Sequence, residues 1–346
     1  MSGTLLDLVR SVPDLAQWLE SLEQATTLPA PTPTTSAPAP TASPAPIALP
    51  TPTELPGLLL DLAIPHEDMN DLAALCARVP DDPDLEYLVN LCARVLIHGI
   101  GAIDSPLELP RLPEEGGAEA RFFYALVFLA VLPHVQAFHR ERGIPRDISR
   151  RTLADLGRNI AAYRGQNGVG GVIAPVWLKW HFRGEIYQLG RLQFQRARLG
   201  RRTGAAIAAA GMPVGPGSPS LEVHIPGFYG PITPEACDRS VALAREFFPA
   251  HFPEETYRVA VIHSWTLDQQ LRDYLPADAN LVRFQDRFRP GYPQTEPDDL
   301  DAIRFVFAHP DRPLDEQPHD TTLERAIADH VRAGGHWYGG NGWFEF

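Results

Sequence analysis

The stretch Leu221-Glu-Val-His-Ile-Pro-Gly-Phe-Tyr-Gly-Pro-Ile-Thr-Pro-Glu235 joins a strand pattern, a turn with two glycines and the start of a helix. Its first five residues alternate apolar and polar side chains, which predicts a strand over residues 221–225. Thr233 is the expected N-cap, with Pro234 at the first position of a helix over residues 233–248. A β-branched run over residues 257–265 predicts the next strand. A strand, a helix and another strand in this order indicate one crossover connection.

Further strand and helix patterns flank this central unit. Residues 172–183 and 185–199 are rich in aromatic and β-branched residues and meet at Arg183-Gly184, which predicts a hairpin. The expected fold class is α+β, with a mixed, mostly antiparallel sheet and flanking helices over residues 166–346. Downstream of the crossover, the patterns predict a helix over residues 267–274, strands over 280–289 and 302–309, a helix over 321–333 and an aromatic terminal strand.

The N-terminal half shows helical spacing of its apolar residues. Residues 57–165 carry them at intervals of three and four, separated by prolines, and are expected to form an all-helical domain. Residues 1–26 predict an amphipathic helical segment interrupted at Pro13. Residues 27–56 are rich in Pro, Ala and Thr and are expected to be a disordered linker. The apolar stripe of residues 1–26 is compatible with docking on the rest of the chain or on a partner.

Net charge excludes two classes of partner. The chain has 346 residues with 43 acidic and 30 basic side chains, a net charge of −13 and a pI near 5.4. Such a chain has no overall attraction to phosphate backbones, so we expect neither nucleic acid nor an anionic membrane as a partner. Hydrophobic residues make up 44% of the chain, which suffices for a large core and argues against disorder throughout.

Neither a membrane span nor a cysteine site is expected. The longest apolar run, residues 122–132, has eleven residues, whereas a bilayer needs roughly 20. The first residues lack the features of a signal or transit peptide, so we expect a cytoplasmic protein. Cys76, Cys92 and Cys237 lie far apart without a Cys-x-x-Cys pair, which indicates buried apolar roles rather than a disulfide or a metal site.

Two histidines are the first candidates for chemistry. His224 lies in the strand predicted over residues 221–225, and His263 in the strand predicted over residues 257–265, which this topology brings alongside. A neutral imidazole suits the removal of a proton from an ammonium or hydroxyl nucleophile. The alternative is that each is a hydrogen-bonded sheet histidine. Asp268 follows the second strand and is expected to cap a helix or to orient an imidazole.

The turn between the first strand and its helix is a candidate anion site, because free backbone N–H groups at a helix N-terminus favour a phosphate. Pro226, Pro231 and Pro234 have no N–H to donate, and Glu235 opposes an anion. An ordinary strand-to-helix turn is the alternative. The candidate residues are Gly227, Phe228, Tyr229, Gly230, Ile232 and Thr233.

A third set of candidates belongs to the strand predicted over residues 280–289. Strand alternation predicts that one face carries arginines and a glutamine, a composition suited to a phosphate or carboxylate ligand. A solvated face in an acidic protein is the alternative. The residues on that face are Arg283, Gln285, Arg287 and Arg289, of which the first two are the pocket candidates.

Four segments carry a resemblance to a known family: Trp180-His-Phe-Arg-Gly-Glu-Ile-Tyr-Gln-Leu-Gly-Arg-Leu-Gln-Phe194, His224-Ile-Pro, His263-Ser-Trp-Thr-Leu-Asp268 and Val282-Arg-Phe-Gln285. Through them, residues 57–346 resemble bacterial acyltransferase-domain proteins, common in actinobacteria, in which a helical domain precedes a GNAT-like (N-acetyltransferase-like) domain. The resemblance implies that the acyl thioester of CoA lies between two splayed strands, with its pyrophosphate at the next helix N-terminus. The family signature there is Arg/Gln-x-x-Gly-x-Gly/Ala. This chain has Gly227-Phe-Tyr-Gly230, without the leading basic or amide residue.

The resemblance implies an N-acyltransferase as the main hypothesis. An acyl group would move from a CoA or carrier-protein thioester to a small-molecule or peptide amine by direct attack, with acyl-CoA as co-substrate and no permanently bound cofactor or metal. His263 or His224 would take the proton, and Trp265 would wall the acyl pocket.

The alternative from another class is a catalytically silent GNAT-like module that binds a ligand and reaches a partner through residues 1–26. A hydrolase using Cys237 is disfavoured because that residue falls inside a predicted helix. The sequence specifies neither the acyl group, the acceptor nor the oligomeric state.

Overall fold

A computed structural model describes residues 3–27, 47–103 and 107–346 of the chain. Two compact units divide the chain, Met1–Tyr187 and Gln188–Phe346. The linker expected over residues 27–56 falls mostly on residues 28–46, outside the described residues.

The described part of the first unit is α-helical, and a long apolar helix, α6, contacts α4, α5, α7 and α9. The apolar run of residues 122–132 lies entirely in this helix and is buried. Glu114–Glu141 is long and apolar enough to cross a membrane by length and composition, but 72% of its apolar window is buried inside the protein. The helices are α1 Leu5–Ser11, α2 Pro13–Thr27, α3 Leu55–Asp61, α4 His66–Arg78, α5 Pro83–His98, α6 Gly117–Glu141, α7 Arg146–Leu153, α8 Asp155–Asn167 and α9 Pro175–Phe182.

The first two helices pack within their own unit. Thr4 caps α1, and Pro13 begins α2, so the interruption at Pro13 is confirmed. Both helices contact α5, and the indole Nε1 of Trp18 donates to the backbone oxygen of Glu108 at 3.0 Å. The apolar side chains of residues 1–26 are therefore buried against other helices of the first unit.

A six-stranded sheet of order β1-β2-β3-β4-β6-β5 follows, and all of it except the first two residues of β1 belongs to the second unit. β3 and β4 are parallel, whereas β2–β3, β4–β6 and β5–β6 are antiparallel, so the α+β fold class with one crossover is confirmed. The strands are β1 Ile186–Leu189, β2 Leu192–Arg198, β3 Pro219–His224, β4 Val259–Ser264, β5 Arg289–Pro290 and β6 Gly340–Glu345. The α-helices are α10 Arg201–Ala209, α11 Pro234–His251, α12 Asn280–Gln285, α13 Asp299–Val306 and α14 Thr322–Arg332.

The hairpin predicted at Arg183-Gly184 is wrong in its position. Pro175 is at the first turn of α9, where its missing N–H costs nothing, and the aromatic residues that suggested a strand lie on helical turns. The ring centroids of Trp177 and His181, four residues apart, are 5.3 Å from each other. The hairpin turn is instead at Gly190, whose φ of 71° suits glycine, between β1 and β2.

Two other predicted strands are helices. In residues 280–289, α12 buries Val282, Phe284 and Gln285 while Arg283 is exposed, so the alternation that suggested a strand reflects one short helical turn. Most of the strand predicted over residues 302–309 is instead part of α13, which begins at Asp299. The helix begins there because the Asp298 carboxylate caps it, accepting from the Asp301 backbone N–H at 3.3 Å. The helix predicted over residues 267–274 consists of two 3₁₀ segments, Trp265–Leu267 and Gln269–Asp273.

In the first unit, α8 passes so close to the turn after α3 that only glycine fits at position 157. The Gly157 N–H donates to the Leu62 oxygen at 3.1 Å, and a Cβ at Gly157 would lie 2.0 Å from the Ala63 oxygen. Gly165, in the same helix, has no heavy atom within 4 Å of its Cβ position.

We therefore expect opposite effects from one substitution at these two sites. Gly157→Ala should lower the free energy of unfolding by about 1–3 kcal/mol through overpacking. Gly165→Ala should raise it by about 0.5–1 kcal/mol because alanine is the better helix former. Urea unfolding of both variants measures this, and equal effects at the two sites would contradict the close approach.

Candidate active site

The candidate site forms where the two parallel strands of the sheet separate. β3 and β4 pair only at Leu221 with Ala260 and at Glu222 with Val261. Beyond these pairs β3 stays with β2 as far as His224, while β4 stays with β6 as far as Ser264. Each strand follows its antiparallel neighbour, so an opening forms between the carboxyl ends of β3 and β4.

A row of polar side chains lies beside this opening. Glu222 and His224 lie two residues apart on β3 and so share a face, and the register of β4 brings His263 to the same face. The Nδ1 atom of His263 is 3.3 Å from Glu222 Oε1, and its Nε2 atom is 3.3 Å from Thr203 Oγ1 of α10. Across β2, Gln195 Oε1 lies 2.9 Å from His224 Nε2. The structure thus brings both predicted histidines to one face.

Glu222 is the charged partner of this row. Burial acts to raise the pKa of its carboxyl, but the hydrogen bond with His263 and the electrostatic interactions with His224 and His263 together outweigh burial and lower the pKa. The carboxylate is therefore the form that the site favours. It holds His263 by Nδ1, and Nε2 is the nitrogen directed to Thr203.

Asp268 lies elsewhere. Its carboxylate accepts from the Gln270 backbone N–H at 2.9 Å and from the Tyr338 backbone N–H at 2.8 Å, and it caps the second 3₁₀ segment. Of the two roles expected for Asp268, the structure shows the capping one. The carboxylate that contacts an imidazole is Glu222.

The turn after β3 has the cap that the sequence predicts. Thr233 Oγ1 accepts from the Ala236 N–H at 3.2 Å, and Pro234 begins α11. Tyr229 and Gly230 have φ of 81° and 76°, which is the left-handed region and strained for tyrosine. The turn carbonyls bind Arg191, whose Nε donates to Gly230 O at 2.7 Å and whose Nη1 donates to Pro226 O at 2.9 Å.

A cavity of about 300 Å³ adjoins this turn. Its apolar lining is Ile225, Pro231, Ile232, Trp265, Leu281 and Leu323, and its polar lining is Arg191, Thr266 and Asn280. Trp265, Leu281 and Leu323 also belong to the apolar cluster around Ile327 and Trp337. The cavity is thus an apolar extension of the strand opening with one charged side chain in its wall.

The predicted arginine face does not exist as a strand face, because α12 is helical. Arg283 is exposed and does not line the cavity, although Asn280 and Leu281 of the same helix do. Gln285 is buried and donates to the oxygens of Thr266 and Asp268, both at 2.9 Å, so it fixes the backbone that follows Trp265. Arg287 donates to Pro234 O at 2.7 Å and pairs with Asp238.

The cysteines are buried free thiols. Burial raises the pKa of all three thiols, and that of Cys76 reaches about 12. A thiol with a raised pKa is a poor nucleophile, which agrees with the low rank of the hydrolase hypothesis. Among the described residues, no group of three or more His, Cys, Asp or Glu is arranged to hold a metal ion.

Two residues of the site were missed in the sequence. Glu222 alternates with His224 in the pattern Leu221-Glu-Val-His, so its place on the same face was available from the strand period alone. Arg191 gave no comparable signal, because its contact with Pro226 and Gly230 depends on the hairpin between β1 and β2 bringing Arg191 to that turn.

The lowered pKa of Glu222 predicts how the stability of the fold depends on pH. A lowered folded pKa contributes stability that is present above the unfolded value, about 4.3, and is lost as the pH falls through the folded value. Glu222→Gln should therefore lower the melting temperature at pH 6, by an amount corresponding to roughly 1 kcal/mol for a partly exposed pair, and by less at pH 3. The control is Glu246→Gln, an exposed carboxylate of α11. If the melting temperatures of the wild type and Glu222→Gln differ as much at pH 3 as at pH 6, the pairing of Glu222 with His263 is contradicted.

Comparison with known proteins identifies the family. A family of N-acyltransferase N-terminal domains matches residues 53–184, and a family of GNAT-like C-terminal domains matches residues 186–344. A comparison with curated proteins gives no significant match.

Solved structures match the whole chain. An acyltransferase mutant in complex with octanoyl-CoA is 34% identical, with 100% of both chains covered and a TM-score of 0.84. An acyltransferase in complex with decanoyl-CoA and teicoplanin is also 34% identical, with 98% of this chain and 99% of that chain covered and a TM-score of 0.84. The same values hold for an acyltransferase in complex with CoA and 10C-teicoplanin. The chain therefore belongs to the acyltransferases that join an N-acyltransferase N-terminal domain to a GNAT-like C-terminal domain.

Proposed function

We propose that the protein transfers a medium-length acyl group from a CoA thioester to an amine of a small-molecule acceptor. The observation that carries the proposal is the opening between β3 and β4, with an apolar cavity on one side and two imidazoles beside it. Similar structures bind octanoyl-CoA, decanoyl-CoA and teicoplanin, which supports a CoA donor and a polar, non-protein acceptor.

The donor is proposed to enter the opening with its thioester between the separated strands. Backbone N–H groups of β4 beyond Val261 are suited to polarise the thioester carbonyl, because β3 no longer pairs there. The turn of residues 227–233 and the capped start of α11 are suited to the phosphates of CoA. The same residues were candidates in the sequence, and the cap of α11 by Thr233 supports them.

The acyl chain is proposed to occupy the cavity beside Trp265. Six apolar residues line this space, and Trp265 joins it to the cluster that contains Trp337. Burying an alkyl chain there contributes about 0.8 kcal/mol per methylene. The cavity therefore favours acyl groups longer than acetyl.

Proton removal is proposed for His224. It is the residue before Ile225, which lines the cavity, and Gln195 Oε1 accepts from its Nε2, which assigns the ring proton to Nε2. His263 is the second candidate, because Glu222 holds its Nδ1 and makes Nε2 the basic nitrogen. Thr203 already contacts that nitrogen.

The proposed reaction is a direct transfer. The amine nitrogen attacks the thioester carbon and forms the C–N bond, the C–S bond breaks, and CoA leaves as a thiolate. The imidazole takes the proton of the ammonium and can return it to the thiolate, so protons and electrons balance without a covalent enzyme intermediate.

The alternative of a silent binding module loses one of its supports. It required residues 1–26 to reach a partner, whereas α1 and α2 bury their apolar stripe against their own unit. A carrier-protein thioester is a further donor to be tested beside octanoyl-CoA in the assay below.

His224→Ala should lower kcat for octanoyl transfer to the amine of a glycopeptide by about 100-fold to 10,000-fold, the usual contribution of a general base. Free thiol release and the product mass measure it. His66→Ala, at a histidine whose side chain is 87% exposed, is the control and should keep full activity. A larger loss in His263→Ala than in His224→Ala would assign the base to His263. Full activity in both variants, or no transfer by the wild type from octanoyl-CoA or a carrier thioester, would reject the proposed chemistry.

Trp265→Leu should change chain-length preference, since it enlarges the cavity. We expect the kcat/KM ratio of dodecanoyl-CoA to hexanoyl-CoA to rise by about tenfold, the scale of one or two methylenes in an apolar pocket. Trp337→Leu is the matched control, because Trp337 belongs to the same cluster but does not line the cavity. An equal change in both variants would show a general loss of packing instead.

A further inference from the structure

The face of the sheet that carries Glu222 and His263 is also the face against which α10 packs. Thr203, in the first turn of α10, lies 3.3 Å from Nε2 of His263. On the other side of β4, the register of β6 pairs Asn341 with His263, and directly opposed residues of antiparallel strands share a face. The side chain of His263 is 39% exposed, so a molecule that approaches this face can reach it.

This face and the cavity are separate parts of the site. Neither Glu222 nor His263 is a lining residue of the cavity, and no lining residue belongs to α10. Trp265, only two residues after His263 in the chain, does line it. A thioester between the separated strands therefore has the proposed acyl-chain cavity on one side and His263 on another, which leaves the side of His263 for the acceptor.

Asn341 fixes the loop that follows β5 next to His263. Its Oδ1 accepts from the Tyr292 N–H at 2.8 Å, and its Nδ2 donates to the Tyr292 oxygen at 2.7 Å. The Gly291 N–H donates to the backbone oxygen of Asn341 at 3.1 Å. A Cβ at Gly291 would lie 2.0 Å from Asn341 Oδ1, so the approach of the loop requires glycine there. The backbone of Tyr292 is thus held beside the strand position opposite His263.

Arg202 connects this loop with α10. It precedes Thr203 in the helix, and its Cζ atom lies 5.9 Å from the centre of the Tyr292 ring, within the range of a cation–π contact. Thr203 therefore joins Arg202 to His263. Asn341 joins His263 to Tyr292, so the chain of contacts closes on itself. The guanidinium and the tyrosine ring form the rim of a site that has His263 at its base.

The charge of Arg202 has no counterion within the described parts of the chain. Its side chain is exposed and its guanidinium has no carboxylate partner there, whereas Arg289 of β5 pairs with Glu345 at 3.0 Å. The chain has a net charge of −13, so acidic side chains are plentiful elsewhere. A guanidinium presents its N–H donors as a planar fork that matches the two oxygens of a carboxylate. Arg202 is therefore suited to an anionic ligand that comes from outside the chain.

We propose that Arg202 recognises a carboxylate of the acceptor, with the ring of Tyr292 against the carbon skeleton beside that carboxylate. This inference rests on the proposed function, because it describes the acceptor of that reaction. The amine of the same molecule then reaches the thioester next to His263. The site selects amines that carry a carboxylate over amines whose only charge is the ammonium, because the guanidinium attracts the former group and repels the latter.

The test compares two acceptors in octanoyl transfer from octanoyl-CoA. One is a glycopeptide with one free amine and a free carboxylate, and the other is the same glycopeptide with that carboxylate converted to a primary amide. The variants are Arg202→Gln and Arg202→Lys. Arg198→Gln is the matched control, because Arg198 is also exposed and lies just ahead of α10 but donates to the Gly217 oxygen at 3.2 Å. Melting temperatures of all variants report on folding.

In the wild type we expect the KM of the carboxylate acceptor to be about tenfold lower than that of the amide, the scale of one hydrogen bond to a charged group. Arg202→Gln should raise the KM of the carboxylate acceptor by about tenfold and leave its kcat, and both constants of the amide, unchanged. Arg202→Lys should keep part of the preference, because it retains the charge without the fork. Arg198→Gln should behave like the wild type.

An equal rise of KM for both acceptors in Arg202→Gln would leave Arg202 a structural role only and overturn the inference. A wild type that does not distinguish the two acceptors would overturn it as well, while the acyltransfer proposal would stand. Titration calorimetry of both acceptors without a donor separates the opposite case. If the wild type binds the carboxylate acceptor more tightly, and Arg202→Gln abolishes that difference, but no acyl group is transferred, carboxylate recognition stands and the acyltransfer proposal fails.

Discussion

The site depends on how little β3 and β4 pair with each other. Two residue pairs hold these parallel strands together, while each strand has a longer antiparallel ladder with its outer neighbour. The bonds to β2 and to β6 use the outer edges of β3 and β4, so these ladders hold the two strands in place while their facing edges diverge. The opening is thus a property of the sheet register.

Polar and apolar side chains lie on different sides of the opening, according to their position on the strands. Strand alternation brings Glu222 and His224 to the face that β4 extends with His263, while Ile225 leads into the cavity with Trp265. The histidines proposed to move protons are therefore only one or two residues in sequence from the residues that line the proposed acyl-chain cavity. One residue of slip in the β2–β3 register would exchange these faces and remove both.

The parts of the structure that local sequence determines were predictable. Thr233 and Pro234 mark the start of α11 because a cap and a fixed φ act within one turn, and the alternation at Leu221 to Ile225 gives the strand. Residues 280–289 were mistaken for a strand because a single helical turn and a short strand both bury Val282 and Phe284. Arg191 and the pairing of Glu222 with His263 arise from contacts between segments far apart in the chain, so neither strand nor helix periodicity could reveal them.

The burial of α6 has a consequence for synthesis on the ribosome. This helix is apolar on nearly every side, and the helices that cover it come from both directions of the chain, with α4 and α5 before it and α7 and α9 after it. The part of its surface that α7 and α9 cover remains exposed until Phe182 has emerged from the exit tunnel. During that interval the nascent chain exposes a segment that chaperones and membranes bind by the same apolar attraction. The order of translation, rather than the finished fold, sets how long that exposure lasts.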